Sequence, residues 1–286
     1  MMVKGETEQM SIWEAIFYGI IQGLTEFLPV SSSGHLAMLQ NILGFGQEMD
    51  AVAFNVLLHL GTLIAVFAVY YKDIFGLIKA FFSLCGKIFH GNFKMSEYAL
   101  HEKLVIYIII GTIPLVPMIL IEDYLDMVSS YLVIIGALLI FNGLVLMISD
   151  KLSRGNKTLD EMKPKNAILI GLCQAVALLP GISRSGSTIT GGLLNGLERP
   201  DAVRFSFLLS IPAILGASVL KLPDFFAEIP DSKTLMVYIV GAAVSAVVGI
   251  CAIKLLSYIS KKSNFRIFSY YCFAAGLFAV AWGIFA

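Results

Sequence analysis

Long stretches of the chain are apolar at every helical position instead of on one face, the pattern of helices surrounded by lipid and not of a helix lying on a water-facing core. Runs with few or no charges occupy 51–71, 104–121, 131–149, 205–220, 234–253 and 267–286. Each approaches the roughly 20 residues that cross a bilayer core, so six full transmembrane helices are predicted. Two further apolar stretches, 16–45 and 167–197, are interrupted: the first at Glu26, Pro29 and His35, the second at Pro180, Gly181 and Arg184. These are predicted to be re-entrant, broken helical hairpins. Between them, Lys72, Lys79 and Lys87 recur about every two turns among apolar residues. That spacing suits an amphipathic helix on the membrane surface or the solvated face of an ordinary helix.

Composition agrees: 58% of the 286 residues are hydrophobic and 14% charged, with a mean hydropathy of +0.84. A soluble domain has no use for that much apolar surface. The formal net charge of +0 argues against a nucleic-acid partner. Cys85, Cys173, Cys251 and Cys272 lie in apolar stretches without metal-ligand spacing and read as small packing residues. The N-terminal segment MMVKGETEQMS is acidic and lacks a cleavage site after a short apolar core, so no removed signal peptide is expected there.

Charge is informative through its distribution. Lys72, Lys79, Lys87, Lys94 and Lys103 follow the first span, Lys151, Arg154, Lys157, Lys163 and Lys165 the third, and Lys254, Lys261, Lys262 and Arg266 the fifth. The loops after the second and fourth spans are acidic, with Glu122, Asp123 and Asp126, then Asp224, Glu228 and Asp231. The positive-inside rule places the basic loops in the cytoplasm and both termini outside.

The two interrupted stretches match each other. A shift of 152 residues lays Gln22 on Gln174, Pro29 next to Pro180, and Ser31, Ser32, Ser33 and Gly34 on Ser183, Arg184, Ser185 and Gly186. Downstream, AFNVLL (53–58) and RFSFLL (204–209) align within one residue of that offset. The expected organisation is a repeat at 1–150 and a second at 151–286, each a hairpin plus three spans. Three is odd, so the second copy runs through the membrane in the opposite sense. The fold class is thus an all-α polytopic integral membrane protein with an inverted-topology repeat, whose paired breaks meet near the midplane and form a site there.

Glu26, His35 and Arg184 lie at that depth, where a lone charge costs on the order of 2.5–3.5 kcal/mol. A Glu26–Arg184 ion pair holding the repeats in register is the bland account. The hydroxyls of Ser31, Ser32, Ser33, Ser183, Ser185, Ser187 and Thr188 exceed what capping needs. Fresh helix starts after the breaks favour an anion, Arg184 offers a fork for phosphate oxygens, and Glu26 suits a hard divalent cation. Ser32 and His35 lie within one helical turn, so the imidazole could take the hydroxyl proton. His59, with no carboxylate near it in sequence, reads as a hydrogen-bonded structural residue. Glu14, His90 and His101 read as interfacial or loop residues.

QGLTEFLPVSSSGH (22–35) and PGISRSGST (180–188) resemble the two signatures of the undecaprenyl-diphosphatase family of bacteria, the bacitracin-resistance BacA/UppP type, and the span pattern agrees over essentially the whole chain. The resemblance implies hydrolysis of undecaprenyl diphosphate to the monophosphate, recycling the lipid carrier of cell-wall synthesis and giving tolerance to bacitracin. It implies a multi-pass protein of the inner membrane with an extracytoplasmic site and a dependence on Mg2+ or Ca2+. By motif, Ser32 is the nucleophile, His35 its proton-transfer partner, Glu26 the acidic and metal-binding residue and Arg184 the phosphate clamp, with Gln22, Ser31, Ser33, Ser183, Ser185 and Thr188 around the substrate. Gln22 stands where many members have Glu. The implied partners are a polyprenyl diphosphate and membrane lipids, and a homodimer is compatible with such a chain. The rival reading is a secondary transporter or lipid flippase, which also uses inverted repeats but needs no nucleophile. A type-2 phosphatidate-phosphatase-like enzyme fits less well, because Ser183-Arg184 is not followed by the His and Asp that family requires.

Overall fold

A computed structural model describes residues 10–43, 51–89, 95–152, 155–227, 231–262 and 264–285. The acidic N-terminal segment, Phe45, His90, Lys94, Arg154 and Glu228 lie outside the described residues.

The first interrupted stretch is a pair of short helices, α1 (Ile12–Thr25) and α2 (Ser32–Leu43). Ser11 starts α1 through a capping box with Glu14, a reciprocal bond that satisfies the free amides of the first turn. Glu14 is therefore a capping residue. The helix cannot run on through Pro29, which has no N–H to donate. Ser31 takes a left-handed φ of 72°, uncommon for a side-chain-bearing residue and a form of strain that gathers at functional sites. Its Oγ accepts from Gly34 N at 3.2 Å and so caps α2.

The second interrupted stretch repeats this construction. After α8 (Pro164–Val176), the chain turns at Gly181, φ 103°, and α9 (Arg184–Leu194) begins under Ser183, whose Oγ accepts from Gly186 N at 3.1 Å. The breaks are shorter than expected. His35 lies inside α2 and Arg184 opens α9, because the serine caps restart each helix immediately after the turn.

The remaining long helices are α3 (Ala51–Val69), α4 (Tyr71–Phe89), α5 (Leu100–Thr112), α7 (Leu132–Leu152), α10 (Arg199–Leu220), α12 (Ser232–Lys262) and α13 (Arg266–Phe285), with short helices α6 (Glu122–Ser129) and α11 (Leu222–Ala227). Among the described residues, six stretches are long and apolar enough to cross a membrane: Val52–Val69, Leu100–Ile121, Leu132–Lys151, Arg199–Leu220, Ser232–Lys262 and Arg266–Phe285. The chain is an all-α, multi-pass membrane protein.

The second of these spans is not one α-helix. It continues beyond Thr112 as a 3₁₀ segment, Ile113–Ile121. Pro114 and Pro117 remove two N–H groups that would have bonded four residues back, which loosens the α-helical ladder where counting apolar residues shows nothing.

On α4, Ile74, Ala80 and Leu84 are buried, while Tyr71, Phe75, Ile78 and Phe82 are exposed along one stripe. Lys87 belongs to neither face as a solvated charge. It holds Glu102 of α5 at 2.7 and 2.8 Å. His101 lies on α5, 3.6 Å from Asp73 of α4, so it is helical and not in a loop.

The two halves interlock. Along their lengths α1 and α3 pack on α12, α8 packs on α5, and α7 packs on α13, while α3 meets α10. The 152-residue shift lays α1 on α8 and α3 on α10, so the α3–α10 contact joins two elements that match each other in the sequence. Small residues permit the closest approaches. A Cβ on Gly136 of α7 would lie 2.6 Å from the carbonyl oxygen of Gly276 of α13, and the reverse contact is the same. Gly136→Leu is therefore expected to destabilise the fold by about 1–3 kcal/mol, read as a lower thermal unfolding midpoint in detergent. An unchanged midpoint would show that the α7–α13 seam is not packed at these glycines.

Candidate active site

The two breaks touch. A Cβ on Gly34 would lie 3.1 Å from the Gly181 Cα, Ser185 Oγ donates to Leu28 O at 3.1 Å, and Asn142 of α7 bridges both. Its Nδ2 donates to Pro29 O at 3.0 Å and its Oδ1 accepts from Ser183 N at 3.1 Å. Irregular backbone at this depth survives only if its polar groups are satisfied by protein or water, and Asn142 satisfies one from each break. Its sequence signal is a single amide in the apolar run 131–149.

Glu26 follows α1 directly and is the hub. One carboxylate oxygen, Oε1, pairs with Arg184 Nη2. The other, Oε2, accepts from Ser32 Oγ at 2.7 Å and from Gln22 Nε2 at 3.0 Å. His59 Nε2 lies 3.8 Å from the same oxygen. Only 5% of the Glu26 side chain is exposed, so this carboxylate depends on those donors.

His59 belongs to this site, contrary to its reading as a structural residue. Its Nδ1 donates to Asn55 O at 2.8 Å; a carbonyl only accepts, so that nitrogen carries the proton. Its Nε2 is turned toward the Glu26 carboxylate that Ser32 also holds. Nothing local in the sequence joins His59 to Glu26, since the two meet only when α3 packs against α1.

The hydrogen bonds of His35 run elsewhere than to Ser32. Its Nδ1 bonds Ser31 O at 2.7 Å and its Nε2 bonds Tyr271 OH at 2.7 Å, with the rings stacked. Both nitrogens are engaged, one by the preceding turn and one by α13. Among the other sequence candidates, Ser33 and Ser183 line the cavity. Ser31 is spent on the cap, Ser185 bonds the first break, Gln22 holds Glu26, and Thr188 Oγ1 is 2.6 Å from Ser206 Oγ. These four are supports behind the cavity wall.

The cavity measures about 560 Å³, within the range that holds a drug-sized ligand. Its polar end carries Glu26, Ser32, Ser33, His59, Ser183 and Arg184; its apolar wall includes Leu115, Val116, Ile119, Ala213, Gly216 and Leu220. The starts of α2 and α9 both open at the polar end, adding free backbone amides that favour an anion.

Glu26 does not offer the metal site expected of it, because both its oxygens are engaged by Arg184, Ser32 and Gln22. Among the described residues no three His, Cys, Asp or Glu side chains gather to hold a metal. This donor set does not fit a resident divalent ion.

A hydroxyl, a carboxylate, an imidazole and a guanidinium gathered in a largely apolar cavity of a multi-pass membrane protein suit an amphiphile with an anionic head. Residues 15–278 match the family described as bacitracin resistance protein BacA, and the chain belongs to that family. It is 41% identical over 272 residues to an undecaprenyl-diphosphatase of Halothermothrix orenii, covering 95% of this chain and 98% of that one. It is 42% identical over 271 residues to that of Methanobrevibacter smithii, covering 94% and 96%, and 39% identical over 284 residues to that of Desulforapulum autotrophicum, covering 97% and 100%.

Proposed function

We propose that this chain is an undecaprenyl-diphosphatase that works at the Glu26–Arg184 site. It hydrolyses undecaprenyl diphosphate to the monophosphate and inorganic phosphate, recycling the lipid carrier for cell-wall synthesis and conferring bacitracin tolerance. The observation that carries this reading is the placement of Ser32 Oγ, 2.7 Å from a carboxylate that Arg184 also grips, in a cavity that also has an extensive apolar wall.

Arg184 and the two helix starts take the oxygens of the terminal phosphate. Ser32 Oγ attacks its phosphorus, the hydroxyl proton passes to Glu26 Oε2 or to the neighbouring His59 Nε2, and the bond to the bridging oxygen breaks to release prenyl monophosphate. Water then attacks the phosphoserine, giving phosphate and restoring the hydroxyl. Positioning and charge neutralisation supply most of the acceleration in such transfers. A divalent cation such as Mg2+ or Ca2+, if bound with the diphosphate, would supply neutralisation of its phosphate oxygens.

The site faces the extracytoplasmic side of the inner membrane. Basic loops after the odd spans support that orientation, and the cavity is lined by Ser129 and Lys221, beside the two acidic loops. The halves 1–150 and 151–286 are inverted repeats, a reading supported by the matching serine caps.

The test is phosphate release from undecaprenyl diphosphate by purified protein with Mg2+, with Ca2+ and with chelator. Release is expected only with a divalent cation. No release with either cation would overturn the enzyme reading and favour the transporter.

A further inference from the structure

Resting on that phosphatase reading, we infer that the prenyl chain leaves the site between the 3₁₀ segment Ile113–Ile121 and α10, and that Gly216 gauges it. The polar end of the cavity accounts for the diphosphate. The same cavity is continuous with an apolar wall to which Leu115, Val116 and Ile119 contribute from the 3₁₀ segment, and Ala213, Gly216 and Leu220 from α10. A cavity of about 560 Å³ cannot engulf an undecaprenyl chain, so most of that chain must pass out into lipid.

The two walls are built for such an opening. The 3₁₀ segment has no buried residue and packs on α8, α5 and α6, whereas α10 packs on α9, α3, α12 and α5. Val116 and Ile119 are 61% and 45% exposed, and Leu215 and Leu220 are 41% and 46% exposed, so the walls reach from the cavity to the lipid-facing surface. Pro117 and Pro212 lie within these two walls, where each withholds a backbone donor from its helix.

Gly216 is the sharpest feature. Most helical glycines here sit against a neighbouring backbone or side chain, but a Cβ on Gly216 would meet nothing within 4 Å. A glycine inside a helix weakens it, and at this position packing does not call for one. Gly216 lines the cavity, so the open space at its Cβ position adjoins it. Gly86, on α4, does not line the cavity and serves as a control.

The experiment compares kcat/KM for undecaprenyl diphosphate with that for isopentenyl diphosphate on the same preparation, so that the ratio is independent of how much protein is active. In Gly216→Trp, and in Val116→Trp on the other wall, the long-to-short ratio is expected to fall by at least about tenfold, the scale on which apolar pockets discriminate. In Gly86→Trp it is expected to hold. An unchanged ratio in both cavity variants, or an equal fall in Gly86→Trp, would overturn the inference alone. Failure of the parent protein to release phosphate from either substrate would overturn the phosphatase reading and this inference with it.

Discussion

Arg184→Ala is expected to damage stability and turnover together, and the two losses are separable. The guanidinium pairs directly with Glu26, whose carboxylate is almost fully buried. Removing one partner of a buried pair leaves an uncompensated charge, at a cost of about 3–5 kcal/mol. The same substitution removes the fork that meets the phosphate, and loss of one such stabilising group commonly lowers kcat by about 10²–10³-fold. Adding Glu26→Gln to Arg184→Ala removes the orphaned charge. The double variant is therefore expected to recover most of the thermal stability in detergent and none of the phosphate release. If the double variant melts no higher than Arg184→Ala alone, the pair is not what the fold depends on; if Arg184→Ala still releases phosphate at the parent rate, Arg184 is not the clamp.

The breaks were legible because proline, serine and carboxylate are conspicuous in an apolar run, and because the serines recur at a fixed shift. What that pattern could not carry is orientation. Ser32 and His35 are neighbours on one turn, so spacing alone pairs them, yet His35 bonds back to Ser31 O and outward to Tyr271, a residue from the far end of the chain. His59 was passed over for the converse reason: its carboxylate is distant in sequence and near only across the α1–α3 contact. Asn142 belongs with these, since joining two breaks is a property of the folded core and not of any local spacing. The 3₁₀ segment was missed on different grounds. Hydropathy counts apolar side chains and ignores backbone donors, whereas Pro114 and Pro117 act only on the latter. Gln22 supports the same carboxylate from one turn away. As an amide it donates to Glu26 Oε2, where an ionised Glu would repel it.

Ser32→Ala is expected to reduce turnover by at least about 10³-fold with little change in substrate affinity, because a lost nucleophile leaves only positioning and charge neutralisation. The histidines decide how that hydroxyl is activated. His59→Gln removes the imidazole nitrogen that faces Glu26 and is expected to lower kcat by about 10²-fold, within the range of a lost proton-transfer group. His35→Gln removes the bond to Tyr271 and is expected to lower thermal stability by about 1 kcal/mol, with a smaller loss of kcat than His59→Gln. Single-turnover phosphate release on the three variants, with a search for phosphoserine at position 32 in acid-quenched parent protein, checks both halves. A kcat for His59→Gln equal to that of the parent, beside a collapsed kcat in a well-folded His35→Gln, would return the proton to the α2 histidine. That outcome would require the His35 ring to leave Tyr271 when substrate binds. Phosphate release by Ser32→Ala near the parent rate would instead make water the direct attacker, with Glu26 and His59 as its base and Ser32 reduced to a ligand of the phosphate.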